Sequence, residues 1–580
     1  MRMTENDAKR PEDEDDEDEW MQYATASFGE TNYSLWDDVE PVESEDESHA
    51  MEVAMQLGTH VEEIPRAPSA AGHKHLVRQG TCDACLGRVG GKRMFGQSLL
   101  EAGVAVRASV IEQDHHLANA RKDEPLCPFC ENLFEEVDLL ADIIFDAIEP
   151  YDVSRLQLGA RFPKDQTETE EDLRKRLGAG GSDALKSSLV DAISERLKER
   201  LEGVAMVNDK PDVLALIDVL TLTVELDVRA VYVYGRYRKL ERGIPQTRWP
   251  CRVCKGRKCE RCDQTGLQYK RSVQDLVGNP MLEVFQGTEH AFHGMGREDI
   301  DVRCLGRGRP FVLEIKEPKK RAFNAEQLAE IINKAANGSV EVSSIRASSR
   351  SEVVRIKDTP AEKSYTIRFT MEPMSEAEYA VLTAPVDMTN EDVQERSTKR
   401  RRQHRGDKGS DRTKPLETTI HVPEAGPSEE ELKGMKKPEL VALAEQHGLA
   451  KTGTKEALIE RLLAALPPAP QLFELPDDET ILKVIEGLNG AKLAQRTPDR
   501  VAHRRSDLIR KRTVFEAHTP FIELNEEGER EVEFTLRCES GTYVKETVHG
   551  DNGRTQPSVA ALIKAKCKVM WLDVGDIHAD

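Results

Sequence analysis

Two aspartates in a short glycine-containing segment are the side chains of this sequence best suited to chemistry. Asp299 lies three residues after Gly296, directly beyond Arg297 and one further acid, and Asp301 follows two residues later. A glycine turn that leads into a short strand is a common way to present a reactive side chain from a rigid element. A charged hairpin with a solvated face would have the same composition, so the segment alone leaves both interpretations open.

Four C-x-x-C pairs contain eight of the eleven cysteines. Two thiolates from one tight turn can share a tetrahedral Zn²⁺, whereas disulfides are disfavoured in a reducing compartment. The first two pairs predict one structural zinc site, with a redox dithiol as the competing interpretation. The last two pairs lie within twelve residues, among basic residues suited to phosphates, and predict a second site. The proposed ligands are Cys82, Cys85, Cys127 and Cys130 at the first site and Cys251, Cys254, Cys259 and Cys262 at the second.

The negative charge of the chain is concentrated at one end. The 580 residues carry a net charge of −23, and the 21 acidic and four basic residues of 1–66 account for −17, which leaves −6 for the other 514 residues. Such an acidic block is expected to be a disordered tail. No apolar run is long enough for a membrane span, and no signal peptide is recognisable, so a soluble cytoplasmic protein is expected, or a nuclear one in a eukaryote.

Periodicity predicts alternating helices and strands over most of the remaining chain. Helices are predicted at Leu133–Ile148, Asp183–Leu201 and Ala325–Ala336. The pattern of Val213–Leu226 is a mixture of helix and strand periods. Strands are predicted at Val231–Gly235, Met281–Phe285, Asp301–Leu305, Phe311–Ile315 and Tyr365–Met371.

Residues 429–466 have a different pattern, with two short helices joined by a basic loop. Pro438 suits the first turn of one helix, Gly448 ends it, and Lys451–Lys455 leads into the second helix, Glu456–Leu466. This order resembles a SAP domain, a small nucleic-acid-binding module. A plain helical hairpin is the alternative interpretation.

Distant segments then match one known superfamily. The Gly-Arg-x-Asp pattern at 296–299 resembles the catalytic-aspartate motif of pseudouridine synthases, and Gly541-Thr-Tyr-Val-Lys545 resembles their later motif, whose basic residue pairs with the aspartate. The longer pattern through Ile315 is similar to the archaeal and eukaryotic tRNA pseudouridine-54/55 synthases. Gln495–Val501 and Gly550–Ser558 match as well. The resemblance covers about 67–375 and 475–580.

The resemblance implies an α+β fold: a catalytic domain with a mixed or antiparallel sheet and an N-terminal zinc- and THUMP-containing domain. The acidic tail, the basic linker and the small helical SAP-like insertion depart from the family core. Composition and resemblance together divide the chain into 1–66 (acidic disordered tail), 67–270 (zinc and THUMP region), 271–380 (first catalytic part), 381–427 (basic disordered linker), 428–466 (SAP-like domain) and 467–580 (second catalytic part).

The resemblance also implies the chemistry, an isomerisation of uridine to pseudouridine in the TΨC arm at position 54, 55 or both. One carboxylate must act as nucleophile or base, and the motif spacing selects Asp299. Asp301 is the rival, because side chains two apart in a strand share a face. Lys545 would be the cation that a buried catalytic carboxylate needs, and Tyr365 would stack on the flipped uracil.

The remaining site residues are an apolar wall and a cluster of arginines, any one of which could instead be a solvated charge. Val544 and Leu572 would form the apolar wall, although Leu572 and Tyr365 would serve equally as core residues. Arg297 would contact RNA or support the loop, and Arg303, Arg307 and Arg309 are expected to contact phosphates.

The partners and cofactors implied are tRNA, further nucleic acid at the SAP-like insertion, structural zinc, and no cofactor for the isomerisation itself. The protein is expected to be a monomer without membrane contact. A noncatalytic zinc, THUMP and SAP scaffold is the main alternative, and another THUMP-type tRNA enzyme is the second. The chain lacks a convincing nucleotide-binding fingerprint, which disfavours the second alternative.

Overall fold

Two β-sheets organise the chain. The computed structural model describes residues 66–91, 96–119, 126–384, 427, 429–465, 472–502, 507–526 and 528–579. The smaller sheet has the order β2-β1-β3-β4, in which β1 is parallel to β2 and β3 and β4 is antiparallel. Its strands are β1 (Arg155–Arg161), β2 (Ala205–Met206), β3 (Val213–Asp218) and β4 (Thr223–Val228).

The larger sheet is mixed and contains ten strands within the described residues. Its order is β13-β10-β11-β12-β9-β14-β7-β5-β8, with β6 paired to β7. Strands β7 and β14 pair in parallel, and the other neighbours are antiparallel. The strands are β5 (Val231–Lys239), β6 (Glu289–Gly294), β7 (Arg303–Lys316), β8 (Val340–Ser348), β9 (Glu362–Pro373), β10 (Lys492–Arg496), β11 (Ile509–Leu524), β12 (Arg530–Cys538), β13 (Thr555–Gln556) and β14 (Ala565–His578).

Helices cover both sheets and form the SAP-like hairpin. Several begin at side-chain caps, such as Ser272, Asn324 and Ser375, which accept from backbone N–H groups of the first turn. The helices are α1 (Ala70–Arg78), α2 (Asp83–Val89), α3 (Leu99–Gln113), α4 (Val137–Ile148), α5 (Lys164–Arg176), α6 (Leu185–Arg200), α7 (Val273–Phe285), α8 (Ala325–Ala336), α9 (Arg350–Asp358), α10 (Glu376–Thr383), α11 (Glu429–Gly434), α12 (Lys437–Gln446), α13 (Lys455–Ala465), α14 (Asp478–Glu486), α15 (Asp499–Ala502), α16 (Val544–His549) and α17 (Val559–Ile563).

Two apolar cores pack against the large sheet. Helices α7 and α8 bury their apolar faces against β5, β7 and β8. Helices α14, α16 and α17 pack against the strands that follow the SAP-like hairpin, and β7 and β9 contribute to the same core. The polypeptide on both sides of that hairpin therefore builds one sheet, and the α+β class is confirmed.

Most of the predicted elements are confirmed, with one error of type. Helix α8 has the predicted bounds, and α4, α6, β5, β7 and β9 lie within or around their predicted segments. The strand predicted at Met281–Phe285 is wrong, since these residues end helix α7. Val273, Val277, Met281 and Phe285 recur every four residues and are fully buried, which is a helical period.

Two predicted boundaries near the aspartate loop and the large sheet differ from the structure. The segment expected as a strand at Asp301–Leu305 is strand only from Arg303, so both aspartates lie in the preceding loop. Strand β5 lies before the expected domain boundary at residue 270, yet it pairs with β7 and β8 in the large sheet. The backbone pairing of β5 thus joins the segment before 240 to the sheet of the site.

Some expectations concern residues that the structure does not describe. Residues 1–65 of the acidic tail and most of the basic linker lie outside the described residues. Helix α10 runs to Thr383, past the expected start of the linker at 381. None of the helices in the described part of the chain has the length and apolar character that a membrane span needs.

Candidate active site

The aspartate loop, residues 295–302, connects β6 to β7 and is held by its backbone carbonyls. Side-chain donors on β5, on β7 and on the segment after β5 hydrogen-bond to these carbonyls. Contacts within the protein, rather than contacts with solvent, therefore fix the conformation of the loop. The contacts are Arg309 Nη1 to Met295 O at 2.8 Å, Gln246 Nε2 to Gly296 O at 3.1 Å, Lys239 Nζ to Asp299 O and Ile300 O at 3.1 Å each, and Arg242 Nη1 to Asp301 O at 2.6 Å.

A fully buried ion pair lies beneath this loop. Glu298 Oε2 is 2.8 Å from Arg309 Nε, and neither side chain is accessible to solvent. Tyr237 donates its hydroxyl to both oxygens of Glu298, at 2.8 and 2.9 Å. Burial opposes the charge on Arg309, but Glu298 outweighs it and raises the pKa of the guanidinium. Arg309 is therefore a structural cation, and the prediction that it contacts RNA phosphate is wrong.

Two other arginines expected to contact phosphates also make structural pairs. Arg303 Nη2 lies 2.7 Å from Asp573, a buried carboxylate on β14, and Arg307 Nε lies 2.9 Å from Asp576 on the same strand. These pairs join β7 to β14 along the parallel seam of the sheet.

Asp299 and Asp301 converge on one lysine. Lys545 Nζ is 3.7 Å from Asp299 Oδ2 and 3.2 Å from Asp301 Oδ2. The Asp299 side chain is 29% exposed and that of Asp301 is 60% exposed. Both aspartates approach the Lys545 ammonium from the aspartate loop. They do not lie in a strand, so they do not share a strand face as expected. Because the pair is partly solvated, its contribution to stability is on the order of 1 kcal/mol or less, below that of a buried pair.

Helix α16 carries Lys545 and is positioned by a motif that precedes it in the chain. Gln495 is fully buried and holds both backbone groups of Tyr543: the Tyr543 N–H donates to Oε1 at 2.8 Å, and Nε2 donates to the Tyr543 carbonyl at 2.9 Å. Arg500 Nε lies 2.8 Å from the buried carboxylate of Glu546. These contacts explain physically why the Gln495–Val501 motif accompanies the lysine.

Tyr365 lies on β9, between Leu536 of β12 and Val574 of β14. Burial raises the pKa of the Tyr365 phenol above its ordinary value, and the charge of Asp299 adds to this shift. The phenol is therefore neutral, and the tyrosine and the aspartate share one electrostatic environment. Val544 and Leu572 are buried in the same large core against which Tyr365 packs.

Lys363 was not singled out from the sequence, although it is two residues before Tyr365 on the same strand face. Its ammonium lies against Gly296, where an added Cβ would be 3.1 Å from Lys363 Nζ and 3.3 Å from Arg309 Nη1. Gly296 has a φ of +71°, which also favours glycine. Burial, together with the charge of Arg309, lowers the pKa of Lys363 to about 8. No described residue hydrogen-bonds to this amine or forms an ion pair with it.

The cysteines gather in two tetrads as the sequence predicts. Within each tetrad one sulfur from every cysteine lies within 4.8 Å of the others. Backbone N–H groups point at several sulfurs, such as Cys85 N to Cys82 Sγ at 3.4 Å and Gly266 N to Cys262 Sγ at 3.2 Å, as suits thiolates. Both sets fit a tetrahedral metal ion. The other three cysteines, Cys304, Cys538 and Cys567, are buried thiols.

The mixed sheet and this site place the chain in the class of pseudouridine synthases. The family model described as Pus10, C-terminal, matches residues 232–421 and 471–578. The archaeal Pus10 THUMP domain matches 140–218, and the SAP domain matches 431–467. The chain belongs to the Pus10 family.

Three similar relatives each bear the name tRNA pseudouridine synthase Pus10. The protein of Halorubrum lacusprofundi is 31% identical over 86% of this chain and 93% of its own length. That of Methanothrix thermoacetophila is 29% identical, over 87% and 93% respectively. That of Methanocaldococcus jannaschii is 31% identical, over 78% and 75%. The SAP match falls between the two parts of the C-terminal match, which agrees with an insertion.

Proposed function

We propose that this protein isomerises uridine to pseudouridine in the TΨC arm of tRNA, at position 54, 55 or both. The reaction breaks the N1–C1′ bond and makes a C5–C1′ bond, and it is redox-neutral. Asp299 is the catalytic carboxylate, acting as nucleophile or as base. The observation that supports this most directly is the approach of Lys545 Nζ to Asp299 Oδ2, 3.7 Å away, from a segment 246 residues further along the chain.

The other residues of the site bind the extruded nucleotide. Unstacking the target base costs a few kcal/mol of free energy. Stacking of that base on Tyr365 offsets roughly 1–3 kcal/mol of this cost. Val544 and Leu572 line the apolar side, and Arg297 supports the loop or contacts the RNA. Lys545 balances the charge of Asp299. Its ammonium is a compact point charge, so it can remain with either aspartate as the substrate enters.

The accessory regions hold the rest of the tRNA. Zn²⁺ in both tetrads is structural, since four thiolates leave no open coordination position. The zinc and THUMP region holds the acceptor end, and the SAP domain gives a further nucleic-acid contact. Helices α12 and α13 of that domain pack around Leu440, Leu458 and Leu462, so the domain has a small core of its own.

Pseudouridine mapping on an unmodified tRNA transcript tests the function. Purified zinc-loaded protein, without added cofactor, is expected to convert uridines of the TΨC arm. A transcript with cytidine at positions 54 and 55 is the matched control and should stay unmodified. Binding of the transcript without any isomerisation would contradict the proposal and favour a scaffold.

Lys363 gives this site a predicted pH dependence. Its ammonium lies against Gly296 of the aspartate loop without an acidic partner among the described residues, so we expect it to contact electronegative oxygens of the nucleotide. Single-turnover rates should fall as the pH rises through about 8, where the amine loses its proton. The Lys363→Arg variant should keep its activity to higher pH, because arginine stays charged. An equal alkaline loss in both proteins would contradict this role.

Stability should change in the opposite direction over the same range. The folded amine loses its proton near pH 8, whereas an unfolded lysine holds its proton to about pH 10. The unfolded state then binds more protons, so Lys363 contributes increasing stability as pH rises between these values. Urea unfolding at several pH values separates this contribution from the loss of activity.

A further inference from the structure

The second cysteine tetrad belongs to a small hairpin, here called the knuckle, residues 250–267. Its base is closed by a bridge between Pro250 and Leu267. The Cys251 N–H donates to the Gly266 carbonyl at 2.8 Å, and the Gln268 N–H donates to the Trp249 carbonyl at 2.8 Å. Trp249 therefore sits at the root of the knuckle.

The knuckle has almost no core apart from its sulfurs. Between residues 251 and 265, all of which the structure describes, every residue except the four cysteines is exposed. Val253, its one aliphatic residue in that range, is 59% exposed. A segment without apolar burial depends for its fold on the ion that the thiolates share.

The root of the knuckle touches the aspartate loop. Trp249 is 2% exposed, and Tyr269 packs edge-on against it at 5.3 Å between ring centroids. The guanidinium carbon of Arg297 lies 5.2 Å from the Trp249 ring centroid. Arg297 is two residues before Asp299, and the intervening residue, Glu298, is locked in its buried pair.

The residues on both sides of Trp249 in the chain are held in place. On one side, Gln246 binds the Gly296 carbonyl and the Tyr237 hydroxyl, and Arg248 Nε pairs with Asp275 of α7 at 2.5 Å. On the other side is the knuckle. The position of the indole is therefore determined partly by the rigid body of the sheet and partly by the tetrad.

We propose that the second tetrad acts on catalysis from a distance, through Trp249. The bound ion holds the knuckle, the knuckle fixes the indole, and the indole holds Arg297 and hence the orientation of Asp299. Trp249 is a positioning residue, and the ion takes no part in the chemistry. This inference rests on the proposed function, because the effect on rate is an effect on isomerisation.

The first test is a substitution of the indole. Trp249→Leu should lower kcat roughly tenfold, the effect of losing a partly desolvated cation–π contact. KM for tRNA should change little, and kcat is compared at a temperature where both proteins are folded, because loss of the buried indole lowers stability. Trp249→Phe keeps an aromatic face and should recover most of the rate. A Trp249→Leu protein with full kcat, or a Phe variant as slow as the Leu variant, would overturn the proposal.

The second test removes the ion at this tetrad only. Cys259→Ser should reduce bound zinc from two equivalents to one and lower kcat as far as Trp249→Leu does. The double variant should be no slower than either single variant, because both changes break one pathway. Val253→Ala, in the same hairpin, should keep two zinc ions and full activity. Effects that multiply in the double variant, or full kcat with one zinc ion, would refute the coupling.

A fluorescence measurement separates this inference from the proposed function. With Trp20, Trp36 and Trp571 replaced by Phe, Trp249 is the sole indole. Removal of zinc by a chelator should shift its emission, and Arg297→Met should abolish most of that shift. This readout needs no isomerisation, so it tests the coupling even if the tRNA assay fails. A zinc-independent emission would overturn the inference alone.

Discussion

Replacement of Asp299 by Asn is expected to abolish pseudouridine formation while tRNA binding persists. Loss of a general acid–base group costs about 10²–10⁴-fold in rate, and loss of a nucleophile removes the reaction altogether. Asn has the same shape, and the loop around it is held by carbonyl contacts that the substitution leaves in place. Stability should therefore change by less than about 1 kcal/mol. Single-turnover conversion of a tRNA transcript and its dissociation constant measure the two effects.

Asp301→Asn is the matched control for this experiment. It removes a carboxylate of the same type from the same loop and the same lysine, 3.2 Å from Lys545 Nζ. Its side chain is twice as exposed as that of Asp299, and we expect activity to stay within about threefold of wild type, the cost of one surface ion pair. An active Asp299→Asn protein beside an inactive Asp301→Asn protein would transfer the catalytic role to Asp301.

Local patterns in the sequence predict the elements and the metal tetrads well, for a physical reason. A helical period such as that of Ala325–Ala336, or two cysteines in one turn, expresses contacts between residues close together in the chain. Met281–Phe285 fails because five residues are too few to separate a buried strand from the end of a helix. The pairing of Asp299 with Lys545 spans the SAP insertion, and only the family resemblance predicts it.

The support beneath the aspartate loop could not be predicted from the sequence. Lys239 and Arg309 have side chains that are normally solvated, and in a basic segment they suggest an RNA surface. Their burial follows from the register of β5 against β7, which directs both side chains under the loop. Tyr237 and Gln246 complete that network from separate segments. The pairing of strands, not the local composition, therefore distinguishes a structural cation from a phosphate contact.

The buried pair of Glu298 and Arg309 should give the largest stability effect of any single substitution at the site. Arg309→Met leaves the Glu298 carboxylate without its cation and is expected to cost about 3–5 kcal/mol of unfolding free energy. Glu298→Gln combined with Arg309→Met removes both charges and should recover a large part of that loss. Urea unfolding, analysed by linear extrapolation, measures each value.

Arg307→Met is the control that isolates burial as the cause of this effect. Arg307 lies on the same strand, two residues before Arg309, and also pairs with an acid, Asp576, but its side chain is 53% exposed. Its loss should cost no more than about 1 kcal/mol. Arg309 also donates to the Met295 carbonyl, so Arg309→Met should slow isomerisation even at temperatures where the variant is folded. Equal destabilisation by the two substitutions would show that the ion pair beneath the loop is not what holds it.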